Sequence, residues 1–475
     1  MAKNRPVSNY YLSQFLMIQA KTTRFNVSLF TAQTEGDISM VKKTTKRARS
    51  ATARAAATGS GVDELLLAAL ERGDESFQTG RYLVTFKEGA LKEGAQALRA
   101  RGLRLANARD FAGQSFSIQD VAGADGVVLP EIGVALIASA PFAARGMSIQ
   151  EEIASDSPIE SIDPEHFVFV YSADDYLRGF ARAAEVIARD LGQTADLELM
   201  EHDEESVQVL GATWGLIKCK VPPSTRSGAG IKVAVLDTGM DLGHPDFAGR
   251  PVVSQTFVDQ PVQDLNSHGT HCVGTSCGPL SPPGTTPRYG IAFKALIHAG
   301  KVLANSGSGT QAGILAGMNW AIANRCVVIS MSLGGQIPVQ PSYTAAGQSA
   351  LNNGCLIIAA AGNASSTTGA PANSPTIMSV ASLDQNLSPS DFSNFGKVEI
   401  AAPGRDVFSS VPRPTRYGIK SGTSMATPHV AGCAALWAET SPNLRGMNLW
   451  NRLLTTAKPL PFPASKVGKG LVQAP

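Results

Sequence analysis

Ile231-Lys-Val-Ala-Val-Leu-Asp237-Thr-Gly-Met-Asp241 is the stretch on which the fold turns. It is a short apolar, β-branched run closed by a carboxylate and a glycine, the pattern of a strand ending in a turn. Similar runs recur at Val327–Met331 and Leu356–Ala360, and helical stretches lie at Gln311–Asn324 and Ala426–Glu439. Strands alternating with helices predict an α/β domain with a mainly parallel sheet and helices on both faces, beginning near Trp214. Functional groups gather at the C-terminal ends of the strands in such sheets, and Asp237 sits at one. Taken alone, it would serve equally well as a turn residue.

Upstream of this domain the character of the chain changes. The 475 residues are too many for one ordinary core, so two or three folding units are expected. Residues 1–60 carry ten Lys or Arg against Glu35 and Asp37, densest from Lys42 to Arg54; we assign 1–72 to a flexible basic leader. A compact unit follows over 73–172. Tyr82–Phe86 and His166–Tyr171 read as strands, Leu91–Arg101 as a helix with Leu91, Ala95 and Leu98 on one face, and Ile149–Ala154 as a second helix capped by Ser148. Residues 173–213, helical over Tyr176–Leu191 and then acidic, form a connector to the domain at 214–475.

Composition excludes more than it selects. A formal net charge of +2 chooses no partner, and no concentrated basic face in the central or C-terminal parts calls for nucleic acid. No apolar run is long enough to span a bilayer. Tyr10–Ala20 is partly apolar but has no clear cleavage site, so a cytoplasmic start is the expectation, with secretion left open. The six cysteines form no Cys-x-x-Cys pair, which argues against a zinc ribbon and leaves buried thiols as the plain reading.

Chemistry concentrates in four places. His268 lies in Asn-Ser-His-Gly-Thr-His-Cys; two histidines three apart lack the spacing and third ligand of a zinc helix, whereas an imidazole near neutrality suits a general base. His271 reads as a structural residue. Ser424 lies in Gly-Thr-Ser-Met-Ala-Thr-Pro-His, where Pro428 suits the first turn of a helix, so Ser424 is placed at a buried helix N-terminus. Asn363 ends Ala-Ala-Ala-Gly-Asn, at the end of another strand, where its amide can donate to an oxyanion. Each has an ordinary structural explanation by itself. Together they supply a nucleophile, a base, a carboxylate to orient the base and a donor for the oxyanion.

The segments Val235–Asp241, His268–Cys272 and Gly422–Val430, in the order Asp, His, Ser, resemble the signature motifs of the subtilisin-like serine proteases over residues 214–473, nearest to the proteinase K branch. The resemblance implies a subtilisin-like three-layer domain, a serine endopeptidase with Asp237, His268 and Ser424 as its triad, and Asn363 at the oxyanion position. It implies that Gly307, Ser308 and Gly309 and Ser332, Leu333 and Gly334 clasp an extended substrate, while Ala360, Ala361, Gly362 and Gly369 line a roomy primary pocket that prefers apolar side chains. Residues 81–172 resemble the family's α+β, ferredoxin-like propeptide domain, which implies an autoprocessed zymogen cut between about Ser172 and Thr213. The implied partners are polypeptide substrates and the chain's own prodomain, and a monomer is expected.

No cofactor or metal is required by this chemistry. Asp246 matches a calcium ligand of many family members, but the facing stretch Gly278–Pro287 has no carboxylate or amide side chain, so structural calcium is not supported there. Cys272 stands four residues after His268, either as a metal- or oxidant-sensitive thiol or as a small core residue. An α/β-hydrolase reading fails because Gly-x-Ser-x-Gly is missing and His429 lies too close to Ser424. A non-catalytic binding module with this fold is the remaining alternative.

Overall fold

The computed structural model describes residues 61–71, 77–111, 123–144, 153, 155–170 and 211–475. Apart from Ile153, the helix expected over Ile149–Ala154 lies outside these residues, as do the helix at Tyr176–Leu191 and the acidic connector.

The N-terminal part comprises α1 (Val62–Glu71), β1 (Gln78–Phe86), α2 (Leu91–Ala100), β2 (Leu105–Asn107), β3 (Gly126–Leu129), β4 (Val134–Ala138), α3 (Ser139–Ala144) and β5 (Ile159–Phe169). Its strands are ordered β2-β3-β4-β1-β5. β1 lies antiparallel between β4 and β5, and β3 pairs antiparallel with β4, which is the split arrangement of a ferredoxin-like sheet. Short β2 adds a parallel edge to it. The expected face of α2 turns inward through Ala95 and Leu98, which pack with Phe86, Ile137, Ile159 and Ile162.

One boundary needs correction. Residues 62–71, assigned above to the flexible leader, form α1. Val62, Leu66 and Ala69 recur at helical spacing and are buried against Phe167, Phe169 and Val258. Asp63 and Glu64 in the first turn complement the positive end of the helix dipole. The basic charge of residues 42–54 dominates the average composition and hides this short apolar stripe.

The C-terminal domain contains α4 (Trp214–Lys218), β6 (Lys232–Asp237), β7 (Val252–Thr256), α5 (His268–Cys277), β8 (Leu296–Lys301), β9 (Ser308–Thr310), α6 (Gln311–Ala323), β10 (Val328–Met331), α7 (Pro341–Asn352), β11 (Leu356–Ala360), β12 (Met378–Leu383), β13 (Ile400–Pro403), β14 (Val407–Ser410), β15 (Tyr417–Lys420), α8 (Thr423–Thr440), α9 (Gly446–Thr456) and α10 (Ala464–Val467). Seven parallel strands form its sheet in the order β13-β12-β11-β10-β6-β8-β7. Successive side chains of a strand point to opposite faces, and both faces of this sheet are covered. Val233 and Val235 enter the core formed with α5 and α8, whereas Ala234 and Leu236 enter the core formed with α6 and α7. This is the expected three-layer α/β domain. The chain reverses its direction of travel across the sheet between β6 and β10, so the end of β6 opens on a switch point, and Asp237 is the last residue of β6.

The two parts share one sheet edge. β5 runs antiparallel to β9, so the N-terminal sheet gains a sixth strand from the C-terminal domain. Glu165 anchors this junction. It is wholly buried, pairs with Arg81 at 2.6 Å, and accepts from the Ala312 amide at 2.9 Å in the first turn of α6.

Candidate active site

α5 begins at His268 and α8 begins one residue before Ser424, so the two helices carry their functional groups at their N-termini. All ten residues of α5 are buried, and its small side chains let it pass close to α8. Asp237, His268 and Ser424 are all nearly inaccessible.

His268 Nδ1 lies 2.7 Å from Asp237 Oδ1. A carboxylate can only accept, so Nδ1 carries the proton and Nε2 is left as the basic nitrogen. The same Asp237 oxygen accepts from the Thr238 amide at 2.7 Å, which fixes the rotation of the carboxylate. Ser424 Oγ lies 3.4 Å from the Ser332 carbonyl, at the end of β10.

Helix α8 starts earlier than the sequence suggests, and Pro428 lies inside it rather than in its first turn. The reason is local. Proline has no N–H for the carbonyl four residues back, here that of Ser424. That carbonyl instead accepts from the Ser332 hydroxyl at 2.7 Å and from the Cys272 thiol at 3.6 Å. The helix therefore tolerates Pro428 because neighbouring strands and helices satisfy the freed oxygen.

Asn363 is oriented by Thr423, whose amide and hydroxyl both donate to Oδ1 at 2.8 Å. Its Nδ2 is thereby left on the side of Gly422 and Ser424. The Thr423 hydroxyl also accepts from the Gly362 amide at 3.1 Å, tying the end of β11 to the start of α8.

The expected clasp is occupied by the chain itself. Val168 pairs with Gly309 and Phe169 with Ser308 on one side. On that same side the Val170 amide donates to the Gly307 carbonyl at 3.0 Å, and on the other side Phe169 exchanges two hydrogen bonds of 3.0 Å with Gly334. Helix α1 closes over this strand, and Asp63 accepts from the hydroxyls of Ser306 at 2.6 Å and Ser308 at 2.8 Å.

Of Ala360, Ala361, Gly362 and Gly369, expected to line the primary pocket, Gly369 donates its amide to the Ala361 carbonyl at 3.2 Å. A Cβ on Gly362, whose φ is +110°, would stand 2.3 Å from Asn394 Nδ2, and one on Gly369 would stand 2.5 Å from the Gly335 carbonyl. Buried Asn394 ties these segments together, donating to the carbonyls of Ala361 at 3.1 Å and Thr367 at 3.0 Å. The sequence reading gave no role to Asn394, which no local pattern marks, or to Thr423, which lies within the Gly422–Val430 motif.

The remaining candidates are structural. His271 is wholly buried, bonds the Val407 carbonyl at 2.9 Å, and is pushed down to about 3 by burial. Cys272 Sγ lies 3.9 Å from His268 Nδ1, and burial raises its pKa well above the usual thiol range, so it stays a thiol. Its sulfur, with Asp237 and His268, is close enough for a shared ion, but the nearest carboxylate and imidazole atoms already bond each other. Asp246 does not fit a calcium site. Its Oδ1 accepts from the Tyr417 hydroxyl at 2.9 Å and its Oδ2 from the Tyr289 hydroxyl, so both oxygens are engaged by protein donors. No helix among the described residues is long and apolar enough to cross a membrane.

Residues 228–470 match the subtilase family. Thermitase from Thermoactinomyces vulgaris is 41% identical over 251 residues, covering 52% of this chain and 88% of thermitase. Subtilisin Savinase from Lederbergia lenta is 38% identical over 266 residues, covering 55% of this chain and 96% of the relative. The solved structure of a cold adapted subtilisin-like serine proteinase aligns at 34% identity and a TM-score of 0.48, over 55% of this chain and 97% of that one. With half of its length matched, the chain belongs to the subtilase family, the subtilisin-like serine endopeptidases.

Proposed function

We propose that this subtilase hydrolyses peptide bonds by acyl transfer through Ser424. His268 Nε2 takes the Ser424 proton as the hydroxyl attacks the scissile carbonyl, and Asp237 holds the imidazole in the required tautomer. Asn363 Nδ2 and the Ser424 amide donate to the oxyanion. His268 then protonates the departing amine, and water, deprotonated by the same imidazole, releases the acyl group. No step calls for a cofactor. Apolar, roomy surroundings at Ala360–Gly362 and Gly369 favour apolar side chains on the acyl side of the cleaved bond.

We further propose that the chain is made as a zymogen whose residues 77–170 block the cleft and are cut off by its own triad. The strand Phe167–Val170 in the clasp is the observation that carries this reading. Phe169 pairs antiparallel with Gly334, and a strand continued in that register for two more residues would meet Ser332. The Ser332 carbonyl is the atom 3.4 Å from Ser424 Oγ. Counted along that continuation, the sequence supports Tyr171–Ser172 as the scissile bond, at the N-terminal limit of the range expected from the sequence. Tyr171 also suits an apolar primary pocket.

Mass spectrometry of the purified chain tests both proposals. The active form should begin at Ser172, and a Ser424→Ala chain should stay intact. Normal maturation of purified Ser424→Ala would overturn self-cleavage. A well-folded, matured chain that a fluorophosphonate probe fails to label would overturn the peptidase mechanism.

A further inference from the structure

Two buried charges beside the reacting groups are not used in that mechanism. Lys301, the last residue of β8, is wholly buried. Its ammonium donates to the Thr238 carbonyl at 2.5 Å and to Asn305 Oδ1 at 2.8 Å. Asp264, four residues before His268, is also wholly buried. Its Oδ1 accepts from the Thr238 hydroxyl at 3.0 Å and from the amides of Asn266 and Ser267 at 2.9 Å. Its Oδ2 accepts from the Thr270 amide at 2.9 Å and hydroxyl at 2.7 Å.

The two charges meet at Thr238, the neighbour of Asp237. Lys301 holds its carbonyl, and Asp264 holds its hydroxyl. That hydroxyl accepts from the Gly269 amide at 2.9 Å, and the Thr238 amide bonds Asp237 itself. One residue thus connects both triad members already paired, His268 through the first turn of α5 and Asp237 through the turn after β6. A buried ion costs several kcal/mol unless an opposite charge and hydrogen bonds compensate it. Here a single buried cation stands against two buried carboxylates, Asp237 and Asp264.

We propose that Lys301 and Asp264 act as a paired set of positioning residues: they brace Thr238 from opposite sides, and Lys301 offsets one of the two carboxylate charges, so that a single net negative charge faces the imidazolium that forms on His268. This rests on the triad mechanism above. Burial lowers the Lys301 ammonium to about 8, against the opposing fields of Asp264, Asp237 and Asp63, so its charge is present in the acid and neutral range. Other ionisable groups near the site are Asp237 on β6, His271 and Cys272 on the helix of His268, Lys420 on β15, which acts on both of the latter, and buried Asp241 after β6, paired with Arg413. Asp63 adds its charge only while α1 is docked.

The test is the acid limb of kcat/KM against pH, measured on the matured enzyme with a neutral peptide substrate. At an effective dielectric of about 20, a unit charge roughly 10 Å away moves a pKa by about one unit. Lys301→Met should raise the limb by about that much, because an unbalanced carboxylate stabilises the imidazolium. Asp264→Asn should lower it by a similar amount, and Lys301→Arg should leave it within about 0.3 unit. Lys301→Gln, which keeps a donor for Thr238 without the charge, separates charge from hydrogen bonding and replaces the methionine variant if that fails to fold. Opposite shifts in the two charge-removing variants support the proposal. Limbs that coincide with the wild type in every folded variant, with losses confined to kcat or thermal stability, overturn it. A wild type with no acid limb, or with labelling independent of Ser424, would instead mean that the triad mechanism has failed.

Discussion

The Ser332 hydroxyl donates to the Ser424 carbonyl at 2.7 Å, taking the place of the helical partner that Pro428 cannot supply. Ser332 thus fixes the nucleophile's backbone and, through its own carbonyl, faces the nucleophile's side chain. Ser332→Ala should leave the chain folded but lose about 1 kcal/mol of positioning, a roughly fivefold fall in kcat/KM. Steady-state kinetics check this, and an unchanged rate would mean that the Cys272 thiol alone suffices.

Asn363→Ala removes the donor proposed for the oxyanion. Hydrogen bonds to charged groups contribute about 1.5–3 kcal/mol, so kcat should fall roughly ten- to a hundredfold with KM little changed. Thr423→Val should produce part of the same loss, because the valine keeps the amide contact to Asn363 but not the hydroxyl.

Acid should destabilise the fold through two histidines held neutral inside it. Burial lowers His271 to about 3 and His429 to about 4. The unfolded chain protonates both below about 6.5, so it binds more protons than the folded state and stability falls with pH. Near pH 5 each histidine should cost about 2 kcal/mol, with the loss continuing until the folded-state values are reached. Melting curves of the Ser424→Ala chain between pH 7 and 5 test this, and His429→Gln should flatten the slope.

Helix α1 should retard release of the cleft. Leu66→Asp puts a charge against Phe167, Phe169 and Val258. In a time course the bond after Tyr171 should be cut at the wild-type rate, while activity appears earlier by a factor of several. Equal lags in the two proteins would show that α1 contributes nothing to inhibition.

Asp246→Ala should cost about 2 kcal/mol by leaving the Tyr289 and Tyr417 hydroxyls without their acceptor. The fall in Tm should be the same in calcium and in EDTA.

The strands were legible because both faces of the sheet are buried, which writes continuous apolar runs such as Val233–Leu236 into the chain. The pairing of Asp237 with His268 was legible because motifs of fixed order carry both residues. Lys301 and Asp264 were not: nothing in a sequence marks a lysine or aspartate as wholly buried, and both owe their partners to contacts between β6, β8 and the loop before α5. Thr423 and Asn394 escaped for the same reason, since their bonds to Asn363 and Ala361 span 60 and 33 residues. Helix α1 was hidden differently, by a charge-rich neighbour that dominates any average taken over the leader.

The strand pairing between β5 and β9 carries a consequence for the chain's solubility during its synthesis. An unpaired strand edge invites addition of a strand from another molecule. Before cutting, each of these edges covers the other, so the nascent protein presents no such template at its cleft. If the N-terminal part is cut off as proposed, the edge at Ser308–Thr310 would be bared, and the first extended segments at hand would be those of sister molecules. Ripening in a crowded preparation should therefore favour mutual trimming and clumping, and dilute conditions or a captured competitor strand should preserve the product.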